Sequence, residues 1–401
     1  MKKTLLFLAA AGLALLASSC RKDEVVPVTV SVTVDESALV DVPLPDTYTV
    51  TLTNLSTAQT LSSETENLTA TFLSVVPGLY SVSASASSSE GGVTWNYSGT
   101  VATADISSEG QTISVQVASS ESAALVFKEI YYSCSGDYYI REQFYEIYNN
   151  SDAVVYLDKL CIAEVKYYDS INGMAPYNFQ IENPENYVFA QNVWQIPGNG
   201  TDYPLQPGES VVIAQWATDH SREDLNPASA IGDLSSAEFE ALTEETTVGT
   251  VVITDNPAVN LLHPVMAYEL PQWLTSTGGP TMVIFYPEYE LNSVDMIAAE
   301  GLYGGAREIP CEWILDGVNT VENETLIQYL TLPSDIDAGV IWCDKGTYGG
   351  QSIARKVSET REDGRVIYMD TNNTSNDFEV MEKPELRRNG AGIPSWNTWA
   401  N

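Results

Sequence analysis

Lysine and arginine are scarce, 18 in 401 residues against 54 aspartates and glutamates, and the formal net charge is −36. A nucleic-acid partner is excluded on this ground, because phosphate neutralisation needs basic side chains. The same field repels anionic lipid and attracts cations or basic partners. Charged residues make up only 18% of the chain, so the acidity reflects missing cations rather than an acidic tract. Histidine occurs only twice, at His220 and His263. No HExxH, GxSxG, P-loop or EF-hand loop is present. Asp219-His220-Ser221 offers the three residue types of a triad, but chain neighbours cannot converge as a triad does. His220 therefore reads as a polar loop histidine and His263, before Pro264, as a partly buried one. Five cysteines contain no CxxC pair, which leaves zinc little support.

What is present begins at the N-terminus. Lys2 and Lys3 precede an apolar run over residues 4–16, too short to span a bilayer as a helix. Leu15-Leu16-Ala17-Ser18-Ser19-Cys20 follows, and it resembles a bacterial lipobox. The resemblance implies a signal peptide over 1–19, acylation of Cys20, and a lipidated tether over 20–26. Each buried CH₂ of an acyl chain contributes about 0.8 kcal/mol, so two or three chains anchor stably. Lys22-Asp23-Glu24 resembles the surface-export signal of Bacteroidetes lipoproteins. The implied setting is the outer membrane, facing outward.

Residues 27–120 read as one β-sandwich. Val28-Thr29-Val30-Ser31-Val32-Thr33-Val34 alternates with period two, as do 47–52 and 111–117. Pro77-Gly78 marks a turn between two strands. About seven strands of immunoglobulin or transthyretin-like type are expected. The stretch from Phe72 to Val82 resembles the F-x-x-V-x-P-G-x-Y-x-V pair of carboxypeptidase-regulatory and other prealbumin-like modules, where it is structural.

Residues 123–380 form a larger region. Leu125-Val126-Phe127-Lys128-Glu129-Ile130-Tyr131, Phe144-Tyr145-Glu146-Ile147-Tyr148-Asn149 and Pro207-Gly208-Glu209-Ser210-Val211-Val212-Ile213-Ala214 are joined later by Met282-Val283-Ile284-Phe285, Gly350-Gln351-Ser352-Ile353-Ala354-Arg355 and the run from Asp370 to Phe378. In that order they resemble the lamin-tail domain. The expected fold is all-β: two immunoglobulin-like sandwiches, the second with long insertions over 163–203, 215–279 and 297–348. Residues 235–245, with Ser236 as N-cap, form the best short helix, and 326–332 a weaker one. Residues 381–401 are a tail. The whole resembles an uncharacterised family of Bacteroidetes surface lipoproteins, whose members are typically encoded near TonB-dependent receptors.

Candidate sites follow from residue type. Insertions on a sandwich usually decorate one end, where binding occurs. Trp194, Trp216 and Trp273 lie in or beside them with Trp313 and Trp342, while Tyr167, Tyr168, Tyr177, Tyr187 and Tyr203 crowd the first. Such rings either stack on sugars and anchor partners or fill small cores. Arg387, Arg388 and Trp396, with Trp399, suit partner docking from a flexible end. Asp370, Asn372, Asn373 and Asp377 form an oxygen-rich loop that could hold calcium, although the lamin-tail resemblance gives the same residues a structural reason. Cys134, Cys161, Cys311 and Cys343 could form two disulfides in an oxidising envelope or remain thiols, and chain proximity favours Cys134–Cys161 and Cys311–Cys343. No other cofactor is implied. The expected function is non-enzymatic: a surface lipoprotein that binds a ligand or partner, accessory to a TonB-dependent transporter. The alternatives are an envelope hydrolase of glycans or peptides and a structural adhesin.

Overall fold

The computed structural model describes residues 25–400, except 41, 91–92, 137, 170–172, 243, 249–250, 268–272 and 274. The proposed lipidation and export residues Cys20, Lys22, Asp23 and Glu24 lie outside the described residues.

The valine-alternating segment becomes the strand Val28–Asp35, with Val28, Val30, Val32 and Val34 all buried. It sits in the middle of a three-stranded sheet, antiparallel to Thr69–Val75 and parallel to Gln111–Gln116. Facing it is a five-stranded antiparallel sheet in the order Thr60–Glu64, Thr49–Asn54, Gly78–Glu90, Val93–Ile106, Ala118–Glu121. Apolar residues of both sheets, among them Val30, Phe72, Val50, Val82 and Tyr97, form one core. Pro77-Gly78 carries the chain from one sheet to the other rather than closing a hairpin. The corner is tied by the Tyr80 hydroxyl, which donates to the Val76 carbonyl at 2.7 Å.

The second sandwich begins at Leu125. Its first sheet has seven strands, in the order Val259–Asn260, Phe239–Glu240, Ser210–Ala214, Phe144–Asn149, Leu125–Tyr131, Ser352–Arg355, Phe378–Met381. The second runs Ile297–Ala299, Leu302–Pro310, Tyr187–Gln195, Cys161–Val165, Met282–Phe285, Ile314–Val318, with Leu262–Met266 also paired to Tyr187–Gln195. Between the sheets lies the main core, to which Phe127, Tyr145, Ile147, Ile213 and Ile353 come from the first, and Ile162, Trp194, Met282 and Ile284 from the second. Neither outer face is open. Val283 and Phe285 point into another cluster with Ile309, Trp313 and Leu332. Tyr131, Phe144, Val212 and Ala214 are covered by the loop bearing Leu234 and Ala237. Double coverage explains why the alternation seen in the first sandwich disappears in the strands of the second.

It also buries charge. Lys128 and Glu146, adjacent on the outer face of the first sheet, are fully buried and pair at 2.9 Å. Ser210 Oγ donates to the other Glu146 oxygen at 2.5 Å. Buried charges persist only when paired and hydrogen-bonded in this way.

The expected helix over 235–245 is replaced by a strand. Phe239–Glu240 pairs in parallel with Ser210–Ala214 and with Val259–Asn260. Burial of Phe239 in the main core outweighs local helix preference, as tertiary context commonly does. In 326–332 only the end of a 3₁₀ turn, Glu324–Leu326, is helical. The single α-turn among the described residues, Thr374–Asp377, is capped by Asn373.

Candidate binding cleft

The large aromatics sort by burial. Trp194, Trp216 and Trp273 are 0, 1 and 4% exposed, which corrects their assignment as ligand contacts. Trp194 stands in a strand covered on both faces, so its ring enters the main core while Val193 enters the cluster behind it. Trp273 stacks on Tyr145 with centroids 5.0 Å apart. Trp216 packs with Leu242 and Ile253 and donates its indole N–H to the Thr254 carbonyl.

Four tyrosines of the first insertion lie nearer the surface: Tyr167 is exposed, and Tyr168, Tyr177 and Tyr187 are half-buried. Tyr167 and Tyr168 follow the strand Cys161–Val165, and their rings meet edge to face at 4.7 Å. Tyr168 meets Tyr329 similarly at 5.3 Å. Tyr168–Asp169 pairs with Ala175–Pro176, and the Tyr177 amide donates to the Tyr167 carbonyl at 2.8 Å. Phe179 pins the returning chain by stacking on Phe189 at 3.7 Å, with ring planes 7° apart. Tyr167, Tyr168, Tyr177 and Phe179, with Tyr187 and the Leu330–Pro333 stretch opposite, line a groove of 420 Å³. Burial and the neighbouring Tyr167 and Tyr329 hydroxyls push the Tyr168 phenol up, so it stays neutral at physiological pH.

Glu185, Tyr187 and Pro333 line both this groove and a second, adjoining cleft of 700 Å³. The cleft lies where the two sandwiches meet. Glu121, from the last strand of the first, lines it with Glu185, Glu312, Asp335 and Asn372. Its wall is fixed by contacts across the junction: Ser98 Oγ donates to the Ser334 carbonyl and Thr100 Oγ1 to the Ala338 carbonyl, both at 2.7 Å. Asn372 Nδ2 donates to the Asp335 carbonyl at 2.7 Å. Glu121, Glu185, Glu312 and Asp335 are exposed, and none is in an ion pair among the described residues. Among those residues, no lysine, arginine or histidine lines either concavity.

The oxygen-rich loop behind the cleft does not assemble as a calcium site. Asp370 and Asp377 turn to Arg355, at 3.3 and 3.6 Å from Nη1, while Asp316 meets Nη2 at 2.6 Å. Arg355 also donates to the carbonyls of Phe127 and Met369 and lies over the Phe378 ring. The guanidinium supplies the positive charge that a metal would bring. Asn372 turns away toward Asp335, and no group of three or more metal-binding side chains occurs among the described residues.

The tail is a strap rather than a free end. Arg387 pairs with buried Glu238 at 2.5 Å and Arg388 with Glu379 at 3.0 Å. Trp396 donates to the Pro204 carbonyl and packs against Tyr203 and Phe239. Asn397 also donates to Glu238, and Trp399 to the Ala237 carbonyl. Carboxylates on the sheet's outer face need donors, and the tail provides them.

The remaining candidates have structural surroundings. His220 is buried between the Tyr139 hydroxyl on Nδ1 and the Trp216 carbonyl on Nε2, and burial lowers its pKa to about 4. It is therefore neutral, with Nε2 carrying the proton. His263 stacks on Trp194 at 3.8 Å. All four cysteines beyond Cys20 are free thiols. Cys161 packs behind the second sheet and Cys343 in the main core, while Cys311 lines the acidic cleft. Chain proximity did not bring the expected pairs together. Burial, with the Asp335 charge second, pushes the Cys311 thiol up to about 12.

Comparison with known proteins agrees with the fold. A family described as a protein of unknown function, DUF4876, matches residues 206–385. The crystal structure of a DUF4876 family protein from Bacteroides thetaiotaomicron VPI-5482 is 32% identical, covers 92% of this chain and 99% of that one, and superposes with a TM-score of 0.58. A proposed adhesin from Bacteroides ovatus ATCC 8483 aligns at 10% identity over 71% of this chain and 83% of that one, with a TM-score of 0.19, too low to bear on this chain. No curated protein matches. Identity at this level over nearly the whole length of both chains places the protein in the DUF4876 family.

Proposed function

We propose that this chain is a lipid-anchored, non-enzymatic binding protein of the outer-membrane surface that holds its ligand in the tyrosine groove and the acidic cleft beside it. The observation that carries this reading is the groove: Tyr167 is exposed and Tyr168, Tyr177 and Tyr187 are half-buried along it, while the larger indoles of Trp194, Trp216 and Trp273 are buried. Ligand sites combine apolar or aromatic walls with a few polar groups in concavities of about 300–1,000 Å³, and both concavities fall in that range. That both histidines are held in structural surroundings favours binding over hydrolysis. The lipobox-like sequence before Cys20 and Lys22-Asp23-Glu24 support the location. The first sandwich then serves as a spacer and the second, lamin-tail-like in its strand sequence, as the binding head. An accessory role to a TonB-dependent transporter rests on the family resemblance of the sequence.

The test is ligand capture by the detergent-purified full chain on glycan and peptide arrays, beside a Tyr167→Ala/Tyr177→Ala variant. Binding that the variant loses while its melting temperature holds is the expected result. Equal binding by the variant, or a hydrolytic activity lost in His220→Ala or His263→Ala, would overturn the reading. Palmitate incorporation lost in Cys20→Ala, and protease accessibility on intact cells lost in Lys22→Ala/Asp23→Ala/Glu24→Ala, test anchoring and export separately.

A further inference from the structure

We propose that the ligand is an extended basic peptide segment, with its lysines and arginines in the acidic cleft and its neighbouring residues along the tyrosine groove. This rests on the reading of the two concavities as the ligand site. Three features select the class. First, Glu121, Glu185, Glu312 and Asp335 place four exposed carboxylates in one cleft with no ion pair among the described residues. A basic side chain seated there gains a partner without displacing one, and no internal cation competes for the place. Second, the lining has no basic residue among the described residues, so phosphate, sulfate or uronate groups would meet only repulsion. Third, the groove that opens from the cleft at Glu185 and Tyr187 is walled by tyrosines, whose ring faces attract ammonium and guanidinium groups as well as apolar side chains.

Shape agrees with charge. The two concavities are separate volumes joined along one edge, which suits a long ligand better than a compact one. Exposed Asn186 in the cleft and Asn178 in the groove offer amide donors and acceptors to a peptide backbone. The net charge of −36 draws a cationic ligand from a distance. A neutral oligosaccharide would also stack on tyrosines. It would leave the four carboxylates unneutralised, and its binding would be nearly indifferent to salt.

The experiment is fluorescence anisotropy with the detergent-purified full chain and a labelled dodecapeptide alternating lysine and serine. The glutamate-for-lysine peptide and a neutral β-linked glucose hexasaccharide, bound in competition or by calorimetry, are the other arms. We expect the lysine peptide to bind and the glutamate peptide not to. Affinity should fall at least tenfold in Glu121→Gln/Glu185→Gln/Glu312→Gln/Asp335→Asn, and severalfold in Tyr167→Ala/Tyr177→Ala. The first variant removes only four of a net 36 negative charges, so diffuse attraction to the whole surface would barely register it. All six positions are solvent-accessible, and a melting curve checks folding. Equal binding of the lysine peptide by the carboxylate variant overturns the proposal. Hexasaccharide binding that needs the tyrosines but not the carboxylates overturns it too, while leaving the tyrosine groove as the ligand site. If no probe binds and neither variant alters array binding, both readings fall.

Discussion

Arg355→Met should be the most damaging single substitution in the second sandwich. Arg355 is 1% exposed and holds Asp316, Asp370 and Asp377, themselves nearly buried, along with two main-chain carbonyls. Methionine keeps the apolar stem but removes the guanidinium and strands the carboxylates. Removing one partner of a buried ion pair costs about 3–5 kcal/mol, and the two orphaned carbonyls add about 1 kcal/mol or more each. A loss of about 5–7 kcal/mol is comparable to the whole stability of many domains, about 5–15 kcal/mol. Seven of the eight tryptophans lie beyond residue 190, so tryptophan fluorescence in urea reports mainly on this sandwich. With a slope of about 2–3 kcal/mol per molar, the midpoint should fall by about 2 M, or the domain should not fold. Arg355→Lys keeps the charge but not the planar fork of donors, and should fall in between. The defect should shrink near pH 5, because burial already pushes Asp316 and Asp377 upward and the stranded carboxyls would take up protons. A midpoint shift under about 0.5 M at pH 8 would show that these carboxylates are not ionised partners of Arg355 and would leave the loop's charge open to a metal.

Burial raises Glu129 and Glu240 to about 7 and Asp337 to about 6. Their folded pKa values exceed the unfolded ones, so the stability they contribute is full below about pH 4.5 and is lost as pH rises through 6 to 7. The melting temperature should therefore rise as pH falls from 8 to 5, and Glu129→Gln should stabilise at pH 8 and flatten that slope; a fall on acidification counts against it. Arg387→Ala leaves Glu238, which is fully buried, without its cation; we expect a loss of about 2–4 kcal/mol by urea unfolding, whereas a flexible tail would show none. With Cys20 blocked by the proposed lipid, thiol titration should find at most one slowly reacting cysteine, Cys311, in the folded protein and four in denaturant, and reducing agent should leave the melting temperature unchanged. Chelation with EDTA should shift melting by less than about 1 °C if Arg355 rather than a metal neutralises the loop.

By itself the sequence determined the β-architecture of the chain. Alternation through Val28, Val30, Val32 and Val34 specifies a strand with one face inward, and Pro77-Gly78 specifies where the chain turns; both depend on neighbours a few residues away. The apolar stretches around Phe127, Ile147, Ile213 and Ile353 likewise became strands of one sheet. Composition set the charge, and the two concavities, with no basic residue among the described residues, reflect how few cations the chain has to place. The tyrosine crowd near Tyr167 lies along the groove, whereas the tryptophans that residue size singled out are buried. Whether an aromatic lines a surface or fills a core depends on what covers it. For Trp194 that is Trp273 and His263, 79 and 69 positions along the chain. Long-range pairing also decided the rest. Phe239 entered a core and overrode a local helix signal, Arg355 took the place in the acidic loop that local spacing offered to calcium, and Glu238 drew the tail onto the sheet. Local periodicity fixes which segments can be strands; only contact between distant segments fixes which of their faces, charges and rings are left for a ligand.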